Sequence, residues 1–233
     1  MRPGYDESPL NPLPPVIWLL VLPIIATEAA AGLAQIGLIG GAQGIGMRLA
    51  MLERAAFVPD LLIRLVMTGQ WEYAQPWRIV TYPFVHGSLT HALFVAVFTL
   101  ALGKLVAEQF RALSVLAIFF GSAIGGALVY TALAAWLPGR FEPLIGGYPA
   151  VYGLVGAFTF LLWVRLGVEN ANQLRAFSLI GMLLLFQLVF GLIFGGAGDG
   201  WIAEIAGFVI GFLLSFLLVP GGWDHVMRRV RAR

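Results

Sequence analysis

No cysteine occurs in the 233 residues, and charged side chains make up only 11% of them. The first absence excludes disulfides, thiol catalysis and thiolate metal centres. The second, set beside 60% hydrophobic residues and a mean hydropathy of +0.89, excludes an ordinary soluble domain, in which about 25% of residues are charged. The opening segment MRPGYDESPLNPLPP lacks the basic start of a secretory signal and is followed by no small-residue cleavage site. The first apolar run is therefore expected to persist as a helix. The glycine cluster GGAQGIG at 40–46 lacks the Lys-Ser/Thr pair and the preceding strand of a phosphate loop, and is expected to be a helix end and turn. The inverted internal repeat and matched broken helices that mark many transporters are also missing.

What the chain does have is long apolar runs, at about 14–41, 86–106, 112–137, 143–164, 176–198 and 200–219. A spanning helix needs about 20 such residues. The expected fold is an all-α membrane protein with six transmembrane helices. It divides into an N-terminal segment at 1–13, a membrane domain at 14–219 with an outer interfacial loop at 42–85, and a basic tail at 220–233. Basic residues are retained on the cytoplasmic side. With both termini inside, the inner segments hold Arg2, Lys104, Arg111, Arg165, Arg175 and the tail arginines 228, 229, 231 and 233. The outer segments hold Arg48, Arg54, Arg64, Arg78 and Arg140. The expected location is a bacterial-type inner membrane, and the tail reads as a topology anchor rather than a nucleic-acid contact.

The loop between the first two spans is long enough to contain its own elements. Its stretch MRLAMLERAAFVPDLLIRLVMTG carries apolar residues at helical spacing between charges. Two short amphipathic helices at the membrane interface are expected, with Trp71, Tyr73 and Trp77 at head-group depth.

Three motifs follow. QPWRIVTYPFVHGSLTH contains Trp77, Arg78, His86 and His91; GGYPAVYG contains Gly147, Tyr148, Tyr152 and Gly153; AEIAGFVIG contains Glu204, Gly207 and Gly211. In order and spacing they resemble the rhomboid family of intramembrane serine proteases, which implies a six-helix rhomboid-like bundle. The resemblance also implies a serine at the position of Tyr148, a histidine base at that of Glu204, and an oxyanion asparagine one turn after His91, where this chain has Val95. A phenol overshoots the place of a serine hydroxyl, and a phenolate leaves an acyl intermediate more readily than an amine does. The expectation is a chain that is not an enzyme but a pseudoprotease, like the inactive rhomboids and derlins, binding transmembrane segments of partner or client proteins or serving as a subunit of a membrane complex. An active peptidase with atypical residues is the alternative. A small transporter or channel is the second, weakened because the polar residues form no continuous line across the membrane.

Ionisable residues inside a span mark functional candidates, here Glu28 and Glu204. The Tyr148 hydroxyl is expected to donate to Glu204, clasping the fourth and sixth spans. Ser88, Ser114, Ser122, Ser178 and Ser215 lie in no Gly-rich helix opening and are expected to bond within or between helices. His86 and His91 are five apart, not the four that a two-histidine metal site on one helix face wants; His225 falls in the tail. No metal and no cofactor are expected. Gly207, Gly211 and Ala203 on the sixth span, with Gly153 and Ala157 on the fourth, predict close contact between those two helices. Pro149 suits the first turn of its helix.

Overall fold

The computed structural model describes residues 13–71, 75–137, 141–194 and 198–219. The predicted N-terminal segment but for residue 13, the basic tail with His225, and Tyr73 and Arg140 lie outside these described residues.

Among the described residues nine α-helices are formed: α1 Pro15–Gln35, α2 Met47–Ala55, α3 Pro59–Thr68, α4 Arg78–Thr81, α5 Leu89–Ala107, α6 Ala112–Trp136, α7 Tyr148–Val168, α8 Ser178–Phe194 and α9 Trp201–Leu218. Helices α1, α5, α6, α7 and α9 are each long and apolar enough to cross a membrane. At 17 residues, α8 extends about 26 Å, slightly less than a hydrocarbon core of about 30 Å. The six apolar runs thus become five full spans and one short one. Where no water solvates the backbone, a helix satisfies every internal peptide group within itself, and so these runs are helical rather than extended.

The two interfacial helices fall where the amphipathic stretch predicts, as α2 and α3. Proline opens α3 and Gly69 closes it with φ of 67°, the left-handed conformation that suits glycine at a helix end. The GGAQGIG cluster is a 3₁₀ turn, Gly41–Gly46, entered through Gly40 at φ 73°. Trp71 and Trp77 are 73% and 56% exposed, as suits indole rings at a bilayer interface.

The core is built around α7, which packs most extensively on α9, while α6 lies against both. Glycine makes this possible. A Cβ on Gly211 would run into the backbone of Gly153, one on Gly207 into the Pro149 carbonyl, and one on Gly156 into the backbone of Phe208 and Phe212. Gly126 of α6 meets the Ala203 carbonyl in the same way. Lipid supplies no hydrophobic force between helices, so this backbone-to-backbone packing holds the bundle together. The fourth and sixth spans therefore touch along the small residues that the sequence marks. Pro149 sits in the first turn of α7, where its missing N–H costs nothing.

The connections are fastened by hydrogen bonds. The fully buried Tyr82 donates its hydroxyl to the Ala123 carbonyl at 2.8 Å, tying the pre-α5 turn to α6. Phe57 and Leu144 exchange backbone bonds of 3.0 and 2.8 Å across an isolated antiparallel bridge, and the Gly146 amide donates to the Tyr82 carbonyl at 2.9 Å. Together these place the loop entering α7 over the start of α5.

Candidate functional site

Ser88 caps α5, its hydroxyl accepting from the His91 amide at 3.2 Å. This is the usual N-cap arrangement, and it fixes where the helix starts. His91 lies in the first turn of α5, while His86 precedes the helix, outside any regular element. The expectation that five-residue spacing turns the two rings apart is corrected by this break. It applies to a continuous helix, and here the imidazoles meet edge to face, with centroids 4.9 Å apart and planes at 89°.

On its other side the His91 ring stacks on Tyr148 of α7, with centroids 4.9 Å apart and planes at 15°. Gly146 makes room for this. Its φ is 81°, and a Cβ there would collide with Nε2 and Cε1 of His91. Gly147, the residue before α7, is equally confined, by the Val95 side chain and the Pro83 carbonyl. Val95 is fully buried, one turn along α5 from His91. It contributes an apolar wall where an asparagine would have contributed an amide.

Glu204 lies in the first turn of α9 and is 8% exposed. A carboxylate there faces the positive end of the helix dipole, which favours it. Tyr152, one turn beyond Tyr148, is also buried. His86, His91, Tyr148, Tyr152 and Glu204 thus belong to the same end of three packed helices, an arrangement the sequence implied through its motifs. Tyr148 stacks on His91; the predicted clasp to Glu204 remains a proposal.

Both ring nitrogens of His86 and Nε2 of His91 are buried without a hydrogen-bond partner. A buried polar group left so costs about 1–3 kcal/mol. Burial, with the charge of His91 next, pushes the His86 imidazole down to about 4, so it is neutral at ordinary pH. Ser122 on α6 and Thr159 on α7 also bury unpartnered hydroxyls, Ser122 directly against Gly153. They sit within the packed helices, consistent with structural roles. Among the described residues no group of three or more His, Cys, Asp or Glu is placed to hold a metal.

Glu28 has a partner that sequence reasoning missed. Arg48 of α2 grips its carboxylate with both terminal nitrogens, Nη2 to Oε1 at 2.5 Å and Nη1 to Oε2 at 2.9 Å, and also donates to the His86 carbonyl at 3.0 Å. One guanidinium therefore joins α1, the interfacial loop and the histidine pair. The two residues are twenty apart, and no periodic signal links them. Arg78 of the Trp-Arg pair donates to the carbonyls of Glu53 and Ala56, at 2.5 and 2.8 Å, and to Gln75 Oε1 at 2.5 Å. With Thr81, which donates to Ala55 O at 3.3 Å, it satisfies carbonyls that the end of α2 leaves without helical donors.

These features define a class: a multi-pass helical membrane protein whose bundle closes around a buried cluster of histidine, tyrosine and glutamate near one membrane face. A rhomboid domain is matched over residues 73–221, a range that holds every residue of the cluster. The chain belongs to the rhomboid family. It is 27% identical over 143 residues to Rhomboid-like protease 3 of Toxoplasma gondii, covering 60% of this chain and 51% of that protein. To RHOMBOID-like protein 4 of Arabidopsis thaliana it is 24% identical, covering 61% and 34%. To Rhomboid protease GlpG of Yersinia pestis (strain Pestoides F) it is 27% identical over 161 residues, covering 66% and 50%. The chain thus matches about half or less of the length of each relative. The expectation that it is not an enzyme is overturned here, because two of these relatives are named as proteases and the relationship points to a peptidase.

Proposed function

We propose that this rhomboid-family membrane protein binds transmembrane segments of other membrane proteins at the cluster formed by His86, His91, Tyr148 and Glu204, either as clients or as partners in a larger assembly. One observation carries the reading. Three imidazole nitrogens are buried without partners beside a half-buried tyrosine ring, at the end of a bundle otherwise lined by apolar side chains. A segment that unwinds at that depth exposes backbone N–H and C=O groups, which cost several kcal/mol in hydrocarbon if unsatisfied. The neutral imidazoles offer both donors and acceptors, so joining the two sets removes a penalty on each side. Access is consistent with α8, which among the described residues packs on α7 and on the turn Gln173–Phe177 and leaves Met182, Leu185 and Phe186 exposed. In the same reading both termini face the cytoplasm of a bacterial-type inner membrane, as the arginine distribution supports.

A second reading is hydrolysis of the bound segment, favoured by the names of the relatives. The groups within reach would be the Tyr148 hydroxyl, the Glu204 carboxylate and the His91 imidazole. Purified chain in lipid vesicles with a labelled transmembrane segment tests both readings. Co-purification of the intact segment, weakened by His91→Leu, supports binding. Fragments that disappear in Tyr148→Phe or Glu204→Gln add hydrolysis. Neither association nor fragments with any of several segments would end the proposal.

A further inference from the structure

A groove of about 90 Å³ lies outside this cluster, between the interfacial loop and α6. Its walls are Val58, Leu61 and Leu65 on the α3 side, Ile79 of α4 and Leu128 of α6, with Arg78 at its edge. Its lining is apolar except for Gln75 and one cation, Arg78. That cation is unusual: Arg78 donates to Gln75 Oε1 and to the carbonyls of Ala56 and Glu53, all neutral oxygens. The ion pairs of the described residues are Arg48–Glu28 and Arg165–Glu169, so among the described residues no carboxylate pairs with the Arg78 charge. Its partners take three of the five N–H donors that a guanidinium carries, leaving two. Exposed Arg54 and Arg64 lie on the same pair of helices, against exposed Glu53 and Asp60. With Glu72 of the same loop counted, the three arginines and three carboxylates balance, so attraction for an anion comes from the Arg78 donors themselves and not from a net charge.

We propose that this groove binds one anionic phospholipid, an acyl chain lying between α3 and α6 and the headgroup phosphate taking the free donors of Arg78. Three observations select a lipid. Leu128 is itself exposed on the outer surface of a membrane-spanning helix, so the groove opens onto the bilayer. The interfacial helix that forms the other wall has Trp71 and Trp77 nearby at an exposed level, which puts Arg78 at phosphate depth. An acyl chain matches the long apolar walls, and phosphate matches a fork of guanidinium donors better than any other headgroup atom. Attraction of a surface arginine for anionic lipid sets the preference over zwitterionic lipid. The bound lipid would then brace α3 against α6 independently of what the histidine cluster binds.

The test uses the purified full chain in a mild detergent, with phosphatidylglycerol, phosphatidylcholine or inorganic phosphate added, read by thermal unfolding and by native mass spectrometry of the lipid adducts. Phosphatidylglycerol is expected to raise the melting temperature and give a one-to-one adduct, with at least tenfold weaker retention of phosphatidylcholine and no shift from inorganic phosphate. Leu65→Trp fills the groove and is expected to lose the adduct while keeping its lipid-free melting temperature. Leu61→Trp serves as a second variant should Leu65→Trp fail to fold. An equal shift from inorganic phosphate, equal retention of both lipids, or full retention of phosphatidylglycerol in a folded groove-filled variant would each overturn the proposal.

Discussion

Acidification acts on this protein through His86. Its imidazole titrates near 6.5 when exposed and is pushed to about 4 in the folded chain, chiefly by burial, with His91 and Arg48 adding to the shift and Glu28 opposing it. Between those two values the unfolded chain binds a proton that the folded chain refuses, so stability rises with pH in that window and falls as pH drops below about 6.5. A shift of this size corresponds to a loss of roughly 0.8 kcal/mol at pH 6, about 2 kcal/mol at pH 5, and about 3 kcal/mol once pH passes below 4. For a chain of this length, each kcal/mol is about 2–4 °C of melting temperature. His86 should therefore account for about 4–8 °C of the loss between pH 7.5 and pH 5. The assay is thermal unfolding in detergent across that range for the native chain and for His86→Leu, whose side chain cannot charge. The difference between their pH profiles isolates the imidazole from carboxylates elsewhere, whatever the absolute stability of the variant. Parallel profiles would refute the argument, since they would mean that His86 is solvated in the folded state.

Further outcomes follow from the packing and the buried bonds. Gly207→Leu places a side chain against the Pro149 carbonyl and should abolish folding or lower the melting temperature by more than 10 °C, an overpacking cost of several kcal/mol; unchanged melting would contradict the α7–α9 contact. Tyr82→Phe leaves the Ala123 carbonyl without its donor and should cost about 1–2 kcal/mol, measured as the shift in a chemical unfolding midpoint. Removing one member of the Glu28–Arg48 pair strands its partner in a half-buried site. Glu28→Leu or Arg48→Leu alone should each cost about 2–4 kcal/mol, and the double variant less than their sum, as a double-mutant cycle would reveal.

Much of this architecture was legible because membrane folding writes itself in runs and spacings. The apolar stretches gave the spans, the charges between apolar residues gave α2 and α3, and the four-residue spacing of Gly207 and Gly211 gave the α7–α9 contact. The three motifs gave the family, but motif departures at Tyr148 and Glu204 were a poor guide to activity once the protease relatives are considered. Contacts across long separations were invisible. Nothing near Glu28 points to Arg48, and nothing near Arg78 points to the carbonyls of α2, since a backbone acceptor has no sequence signature. The histidine pair was misjudged for a local reason: Ser88 starts α5 two residues after His86, so the helical geometry assumed for the pair never applies. The fifth run shortened into α8 because an apolar stretch sets an upper limit on a helix, while its ends depend on the turn that precedes it.

The central claim is that a transmembrane segment reaches the polar cluster between α5, α7 and α9. A photoreactive benzoyl-phenylalanine placed at Tyr148, an aromatic side chain for an aromatic one, tests it most directly in vesicles holding a labelled transmembrane segment, with the same group at Leu128 on the outer surface of α6 as the comparison. Cross-links from position 148 well above those from position 128 are expected. Equal labelling from both, or none from position 148, would contradict the account.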